Sequence, residues 1–147
     1  MSTEIFPEDE ASLSAEILDA TGPLQILGGD TRCVGRISGD RKLSTARLKG
    51  IVLYEPGALT LVAKTGTPVA EIEAALVAEN QRLAFEPMDH RILLGTQGTP
   101  TLGGVMAANV SGPRRIQVGA ARDFALGMSF VDGSGQLLKN GGRVMKN

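Results

Sequence analysis

The sequence predicts an α+β fold, in which helices and short strands alternate along one chain. Two segments carry apolar residues at helical spacing, and short β-like runs lie between and after them. Glycine accounts for 19 of the 147 residues, which indicates many close backbone approaches in an ordered domain. A hydrophobic fraction of 42% and a charged fraction of 21% are typical of a globular domain.

The first half of the chain is predicted to contain a helix and three strands. The helix is expected over residues 8–20, before the stop signal Gly22-Pro23. The strands are expected at residues 23–27, 50–54 and 60–64. We expect these three strands to share one sheet.

The clearest helix is predicted to begin at Pro68 and to end near Gln81. Thr67 is the expected N-cap, and proline suits the first helical position. Apolar residues recur near helical spacing at Val69, Ile72, Leu76 and Leu83.

The composition changes after residue 84, where a segment rich in glycine and proline extends to residue 113. We therefore expect two subdomains, with residues 1–84 in the first and residues 85–147 in part of the second. Near the end, the runs 124–131 and 136–139 flank Asp132-Gly133-Ser134-Gly135 and predict a β-hairpin.

Charge and cysteine content exclude several classes of protein. The 15 basic residues nearly balance the 16 acidic ones, so no global field attracts nucleic acid or an acidic membrane surface. Cys33 is the single cysteine, which excludes an internal disulfide, and no cluster of histidine and cysteine has the spacing of a metal site. This cysteine usage fits a reducing cytoplasm, so we expect a cytoplasmic protein. The sequence shows no leader pattern and no apolar run of bilayer length, so we expect it to be soluble.

Two glycine-rich segments are the main candidates for a binding site. Residues 95–115, GTQGTPTLGGVMAANVSGPRR, combine glycines with small hydroxyls and arginines, and Gly28-Gly29 follows the predicted strand at 23–27. Such segments offer backbone N–H groups, and two together are suited to a buried diphosphate. Gly103-Gly104 predicts a tight turn into a short helix whose first N–H groups would face the anion. Hydroxyl donors are expected from Thr99, Thr101 and Ser111.

The common nucleotide-binding motifs are absent from the sequence. It contains neither GxxxxGK followed by Ser or Thr nor GxGxxG, which excludes a standard P-loop and a Rossmann fingerprint.

Each candidate also has a simpler interpretation. Both glycine segments are also compatible with ordinary packed turns. Arg114 and Arg115 are candidates for phosphate binding, for an ion pair with Asp123 or for contact with a partner subunit. His90 is expected to form hydrogen bonds in a loop, and Cys33 is expected to be a small buried apolar residue.

Four stretches of the sequence carry a family resemblance: LGGDTRCVGR, YEPGALTLVAKTGTPVAEIEAAL, TLGGVMAANVSGPRRIQVGAARDFALG and GGRVMKN. Their order and spacing resemble FAD-binding domains of the vanillyl-alcohol oxidase, or PCMH, type. Within that type they resemble the FAD-binding subunits of bacterial glycolate oxidases.

The resemblance implies non-covalent FAD between two α+β subdomains, with its pyrophosphate held by two loops. Residues 28–32 would form the first loop and residues 101–104 the second, followed by a segment that lines the flavin. The implied FAD contacts are Gly28, Gly29, Asp30, Thr31, Arg32, Thr101, Leu102, Gly103, Gly104, Ala107, Ser111, Gly112 and Gly119.

The chain departs from the family pattern in two ways. Relatives often read Arg-Gly-Gly-Gly where this chain reads Leu27-Gly28-Gly29-Asp30, so one positive charge is missing and one negative charge is added. That loop has no histidine for covalent attachment, so FAD should be dissociable. Relatives continue past VMKN to a substrate or cap domain, so we expect that domain and its catalytic residues to be absent from a chain that ends at Asn147.

The resemblance implies a component of an enzyme that oxidises a 2-hydroxy acid, glycolate to glyoxylate. A sister flavoprotein subunit and an iron–sulfur subunit are the implied partners, and membrane contact would be peripheral, at the inner face of the membrane and through those partners. Two alternatives remain: a non-catalytic scaffold or interaction subunit that keeps the fold, favoured by Asp30 and by the early end of the chain, and a related flavin enzyme acting on another hydroxy acid or a sugar.

Overall fold

The structure, a computed structural model, describes residues 3–32, 35, 39 and 41–143. These residues form a mixed α+β fold, as the sequence predicted. The strands are β1 (Thr3–Ile5), β2 (Leu24–Leu27), β3 (Arg41–Ser44), β4 (Ile51–Glu55), β5 (Thr60–Ala63), β6 (Gly127–Val131) and β7 (Leu137–Gly141). The helices are α1 (Glu10–Leu18), α2 (Val69–Ala78), α3 (Arg91–Leu94), α4 (Leu102–Ala108) and α5 (Arg115–Val118). Within the described ranges, no helix is long and apolar enough to cross a membrane.

A parallel sheet begins the fold, with strand order β1-β3-β2. The predicted strand at 23–27 is confirmed as β2, whereas β1 and β3 were not predicted. The central strand β3 begins with two basic residues, Arg41 and Lys42, and so lacks a β-like apolar run. Its inward residue Leu43 is fully buried, and pairing on both edges holds the strand in place.

The strands β4 and β5 form a separate antiparallel hairpin, connected through Pro56–Ala58. The prediction that β2, β4 and β5 share a sheet is wrong, because β2 pairs with β3 among the described residues. The strands β4 and β5 form their ladder hydrogen bonds with each other. The strand β2 pairs in parallel with β3, which the sequence pattern did not reveal.

The helix α1 confirms the predicted first helix, in a shorter form. Asp9 caps it: its carboxylate accepts a hydrogen bond from the Ser12 amide at 2.7 Å, and the Ser12 hydroxyl accepts one from the Asp9 amide at 3.1 Å. The helix ends at Leu18, before the predicted stop at Gly22-Pro23.

The helix α2 confirms the second predicted helix, but its start differs. Pro68 occupies the N-cap position, and Thr67 does not cap the helix. Instead, the fully buried Thr67 hydroxyl donates to the Lys64 carbonyl at 2.7 Å and accepts from the Gly50 amide at 2.9 Å. Thr67 therefore fastens the β4–β5 hairpin to the start of α2.

The core lies where α2 meets the later part of the chain. Val69, Phe85, Val105 and Ala121 form a buried cluster, against which Leu83 and Met106 pack. The subdomain boundary at residue 84 stays a prediction. The last predicted feature, the hairpin around Asp132-Gly133-Ser134-Gly135, is confirmed by β6 and β7. The VMKN stretch lies outside the described residues.

Replacing Thr67 with valine is expected to lower the free energy of unfolding by about 1–3 kcal/mol. The half-buried Gly50 amide loses its acceptor, and the Lys64 carbonyl loses one of its two donors and keeps the Thr67 amide. Thr60→Val is the matched control, since the Thr60 hydroxyl makes an exposed hydrogen bond to the Ala58 carbonyl. Its effect should stay within about 0.5 kcal/mol. Denaturant unfolding of both variants checks this, and equal losses would contradict the fastening role of Thr67.

Candidate cofactor-binding cavity

A cavity of about 620 Å³ lies between the loop that follows β2 and the loop that enters α4. We call it the inter-loop cavity, the first loop being residues 28–32 and the second residues 101–104. Most of the residues named from the sequence line it: Gly28, Gly29, Asp30, Thr31, Arg32, Thr101, Gly103, Gly104 and Ala107. Residues 70 positions apart in the chain thus face one space.

The two sides of the cavity are joined by backbone contact. The Thr99 amide donates to the Gly29 carbonyl at 2.9 Å, and the Thr96 hydroxyl donates to the Thr31 carbonyl at 3.0 Å. A Cβ atom on Gly29 would overlap the Thr99 carbonyl oxygen, and one on Gly98 would overlap the Gly29 oxygen. Glycine is therefore required at both positions for the loops to approach so closely.

The N-terminus of α4 corrects one prediction. The helix begins at Leu102, capped by the Thr101 hydroxyl, so the glycine pair lies in its first turn and not in a turn before it. The Leu102 amide donates to the Thr67 carbonyl at 2.9 Å, the Gly103 amide to the Thr65 carbonyl at 2.7 Å and the Gly104 amide to Thr101 Oγ1 at 3.3 Å. These N–H groups therefore stabilise the fold. The sequence had suggested instead that they would face an anion.

The first loop differs from α4, whose first amides already donate to protein acceptors. Within the described ranges, the amides of Gly28, Gly29 and Thr31 have no hydrogen-bond acceptor. Unpaired N–H groups at a cavity are suited to an anionic oxygen, because a charged acceptor makes shorter and stronger hydrogen bonds than a neutral one.

Arg32 supplies a positive charge to the same space. Its Nη1 atom lies 3.4 Å from the position that a Cβ on Gly104 would take, so the guanidinium reaches across to the second loop. Its Nε donates to His90 Nδ1 at 3.1 Å and its Nη2 to the Met88 carbonyl at 2.9 Å. Burial lowers the pKa of Arg32, and the nearby charge of Asp89 opposes that effect.

The segment that holds Arg32 is itself fixed by an ion pair. Asp89 and Arg91 form a salt bridge of 2.7 Å, and hydrogen bonds from Arg91 lower the pKa of Asp89 to about 2. His90 lies between them and makes a hydrogen bond in a loop, in line with the interpretation of the sequence.

Asp30 stands at the exposed edge of the inter-loop cavity. Its backbone is left-handed, with φ of 53°, a conformation that aspartate tolerates better than most residues. The residue that adds the negative charge noted in the sequence therefore does line the cavity.

Four of the named residues lie outside the inter-loop cavity: Leu102, Ser111, Gly112 and Gly119. Gly112 lines a second cavity, of about 510 Å³, where it packs against Glu86. Ser111 Oγ is buried without a partner among the described residues, and Gly119 has a left-handed φ of 91° beside Asp123.

The arginine pair lies away from the inter-loop cavity as well. The Arg114 amide donates to the Glu86 carboxylate at 2.7 Å, and Arg114 lines the second cavity, while Arg115 is exposed. Asp123 pairs with Arg122 at 3.7 Å, and neither Arg114 nor Arg115 joins it in a salt bridge within the described part of the chain. Cys33 lies outside the described residues.

Two threonines of the cavity wall were missed in the sequence. Thr45 follows β3 and Thr65 follows β5, and both line the inter-loop cavity. The run Thr65-Gly66-Thr67-Pro68 is the signal that could have indicated Thr65, since small hydroxyl residues at a strand end resemble the second loop in composition.

The cavity is suited to the diphosphate of a dinucleotide. A Cβ on Gly104 would project between Thr101 Oγ1 and Arg32 Nη1, so the absence of a side chain there leaves room for a ligand. Unpaired amides, a guanidinium and glycine walls meet at one place, which is the donor set that a diphosphate requires. The residues present therefore fit the pyrophosphate of FAD.

Two named relatives resemble the chain in sequence. The glycolate oxidase subunit GlcE of Escherichia coli (strain K12) is 40% identical over 126 residues, which cover 85% of this chain and 34% of that protein. A D-2-hydroxyglutarate dehydrogenase of Xanthomonas citri pv. viticola is 31% identical over 110 residues, covering 75% of this chain and 22% of that protein. The chain thus spans about a third or less of the length of these curated relatives.

The fold has solved counterparts. An alkyldihydroxyacetonephosphate synthase superposes with a TM-score of 0.74 at 17% identity, over 93% of this chain and 26% of that one. The family model described as "FAD binding domain" matches residues 2–141, nearly the whole chain. FAD is thus the cofactor, as the sequence resemblance implied, and the chain belongs to the family of FAD binding domains.

Proposed function

We propose that the inter-loop cavity holds the pyrophosphate of a non-covalently bound FAD. The observation that carries this proposal is that first-loop amides without an acceptor among the described residues meet the Arg32 guanidinium in one glycine-walled space. A pyrophosphate brings negative charge into a partly buried space, and burying charge is costly without paired donors. Arg32 and the amides of Gly28, Gly29 and Thr31 supply those donors.

In this proposal the chain works in an oxidoreductase that acts on a 2-hydroxy acid, with glycolate as the first candidate. Family membership supports FAD as the cofactor, and the names of both relatives concern 2-hydroxy acids. When bound, FAD takes up the two electrons released as the alcohol carbon of such an acid becomes a carbonyl. The chain's own part is to bind and orient the cofactor.

We also propose partner subunits, a sister flavoprotein and an iron–sulfur protein that receives the electrons. The first relative is itself named as a subunit, which supports assembly in a complex. The cytoplasmic location, with membrane contact only through those partners, belongs to the same proposal.

The scaffold alternative has one specific observation in its favour. The first amides of α4 are occupied by Thr65, Thr67 and Thr101, so the second loop offers fewer donors than expected. A scaffold would keep this fold and bind little FAD. Measuring FAD binding to the purified chain by the quenching of flavin fluorescence separates the two, because a chain that neither quenches FAD nor gains thermal stability from it is a scaffold.

Replacing Arg32 with methionine is expected to weaken FAD binding roughly 10- to 100-fold, the effect of losing a charge-assisted hydrogen bond. Arg82→Met is the matched control, because Arg82 is an exposed arginine that lines the second cavity. The control should change the dissociation constant less than about twofold. Equal weakening by both variants, or an effect of Arg82→Met alone, would move the site away from the inter-loop cavity.

Replacing Gly29 with alanine is expected to force the two loops apart, since the new Cβ would overlap the Thr99 carbonyl oxygen. The free energy of unfolding should fall by about 1–3 kcal/mol, and FAD should bind at least tenfold more weakly. Gly22→Ala is the control, because nothing lies within 4 Å of a Cβ there. Thermal melts and FAD titrations of both variants check this, and a Gly29→Ala chain that behaves like the control would contradict the close approach.

A further inference from the structure

Arg32 is held by one edge of its guanidinium group. The atoms Nε and Nη2 lie on the same edge, and they donate to His90 Nδ1 at 3.1 Å and to the Met88 carbonyl at 2.9 Å. The remaining nitrogen, Nη1, is the one next to Gly104 in the wall of the inter-loop cavity. The two acceptors therefore fix the direction in which the third nitrogen points.

The hydrogen bond from Arg32 Nε indicates which ring nitrogen of His90 carries the proton. Arginine can only donate hydrogen bonds, so His90 Nδ1 must be the acceptor and the ring proton of a neutral histidine lies on Nε2. The His90 ring is half-buried, and its Nδ1 also lies 3.1 Å from the Met88 carbonyl. The tautomer with its proton on Nδ1 would donate to that carbonyl, whereas the tautomer with its proton on Nε2 accepts from Arg32 Nε.

A partly buried arginine needs such partners. Burial lowers the pKa of Arg32 by disfavouring its charged form, and a long side chain without fixed partners would sample many rotamers. A ligand would then have to order it on binding, at a cost in affinity. Arg32 with two fixed partners is already ordered before a ligand arrives.

We propose that His90 is a positioning residue for the cofactor: through its Nδ1 it aligns the Arg32 guanidinium so that Nη1 meets the pyrophosphate of FAD. This inference rests on the proposed function of the inter-loop cavity. His90 itself does not line that cavity, so its effect on FAD must pass through Arg32.

The test is a double-variant cycle read by FAD affinity. His90→Leu removes the acceptor and should weaken FAD binding about tenfold, whereas His90→Asn places its Oδ1 where Nδ1 stood and should bind FAD within about threefold of the unaltered chain. In an Arg32→Met background, His90→Leu should change the affinity less than about twofold, because its target is gone.

The outcomes separate this inference from the proposed function. If Arg32→Met leaves FAD affinity unchanged, the proposed contact of Arg32 with FAD fails. If Arg32→Met weakens binding while His90→Leu does not, or weakens it equally in both backgrounds, the positioning role alone is overturned. A loss in His90→Asn as large as in His90→Leu also overturns it.

A second measurement needs no FAD. The Nε–H signal of Arg32 in nitrogen-15 NMR should exchange slowly with water in the unaltered chain and in His90→Asn, and should broaden or vanish in His90→Leu. Retention of the signal in His90→Leu would show that the Met88 carbonyl alone holds the guanidinium, and would overturn the proposal.

Discussion

The whole site depends on one close backbone approach, between Gly29 in the first loop and the segment Gly98-Thr99 ahead of the second. The hydrogen bond from the Thr99 amide to the Gly29 carbonyl, 2.9 Å long, can form only because neither glycine carries a Cβ. That contact brings the end of β2 and the start of α4 to the same cavity. Without it the donors of the first loop and the walls of the second would not share a space.

The backbone donors of the two loops differ: those of α4 are used by the fold, and some of those in the first loop lack an acceptor among the described residues. The first amides of α4 bond to Thr65, Thr67 and Thr101, which ties the helix to the β4–β5 hairpin and its following turn. The amides of Gly28 and Gly29 have no acceptor in the part of the chain that the structure describes. Positive charge comes from Arg32, whose guanidinium lies beside Gly104 in the cavity wall, and Asp30 adds a negative charge to the lining of the same cavity.

Much of this was predictable from sequence because it is local. Helical spacing identified α1 and α2, and the turn sequence around Gly133 identified the β6–β7 hairpin. The pairing of β2 with the polar strand β3 was not predictable, since tertiary contact overrides a weak local preference there. Most of the residues named from the sequence line one cavity, and their role in binding FAD stays a prediction. The hydrogen bonds that occupy the amides of α4 depend on Thr65 and Thr67, and no local pattern reveals them.

The most direct test follows the backbone amides of the chain by nitrogen-15 NMR while FAD is added. The account predicts that the amide signals of Gly28, Gly29 and Thr31 shift most, because these groups gain an anionic acceptor. The Gly103 amide should shift little and keep its slow exchange, because it already donates to the Thr65 carbonyl. Shifts concentrated at Gly103, or around Arg82 and Arg114 in the second cavity, would contradict a pyrophosphate site built on the first loop.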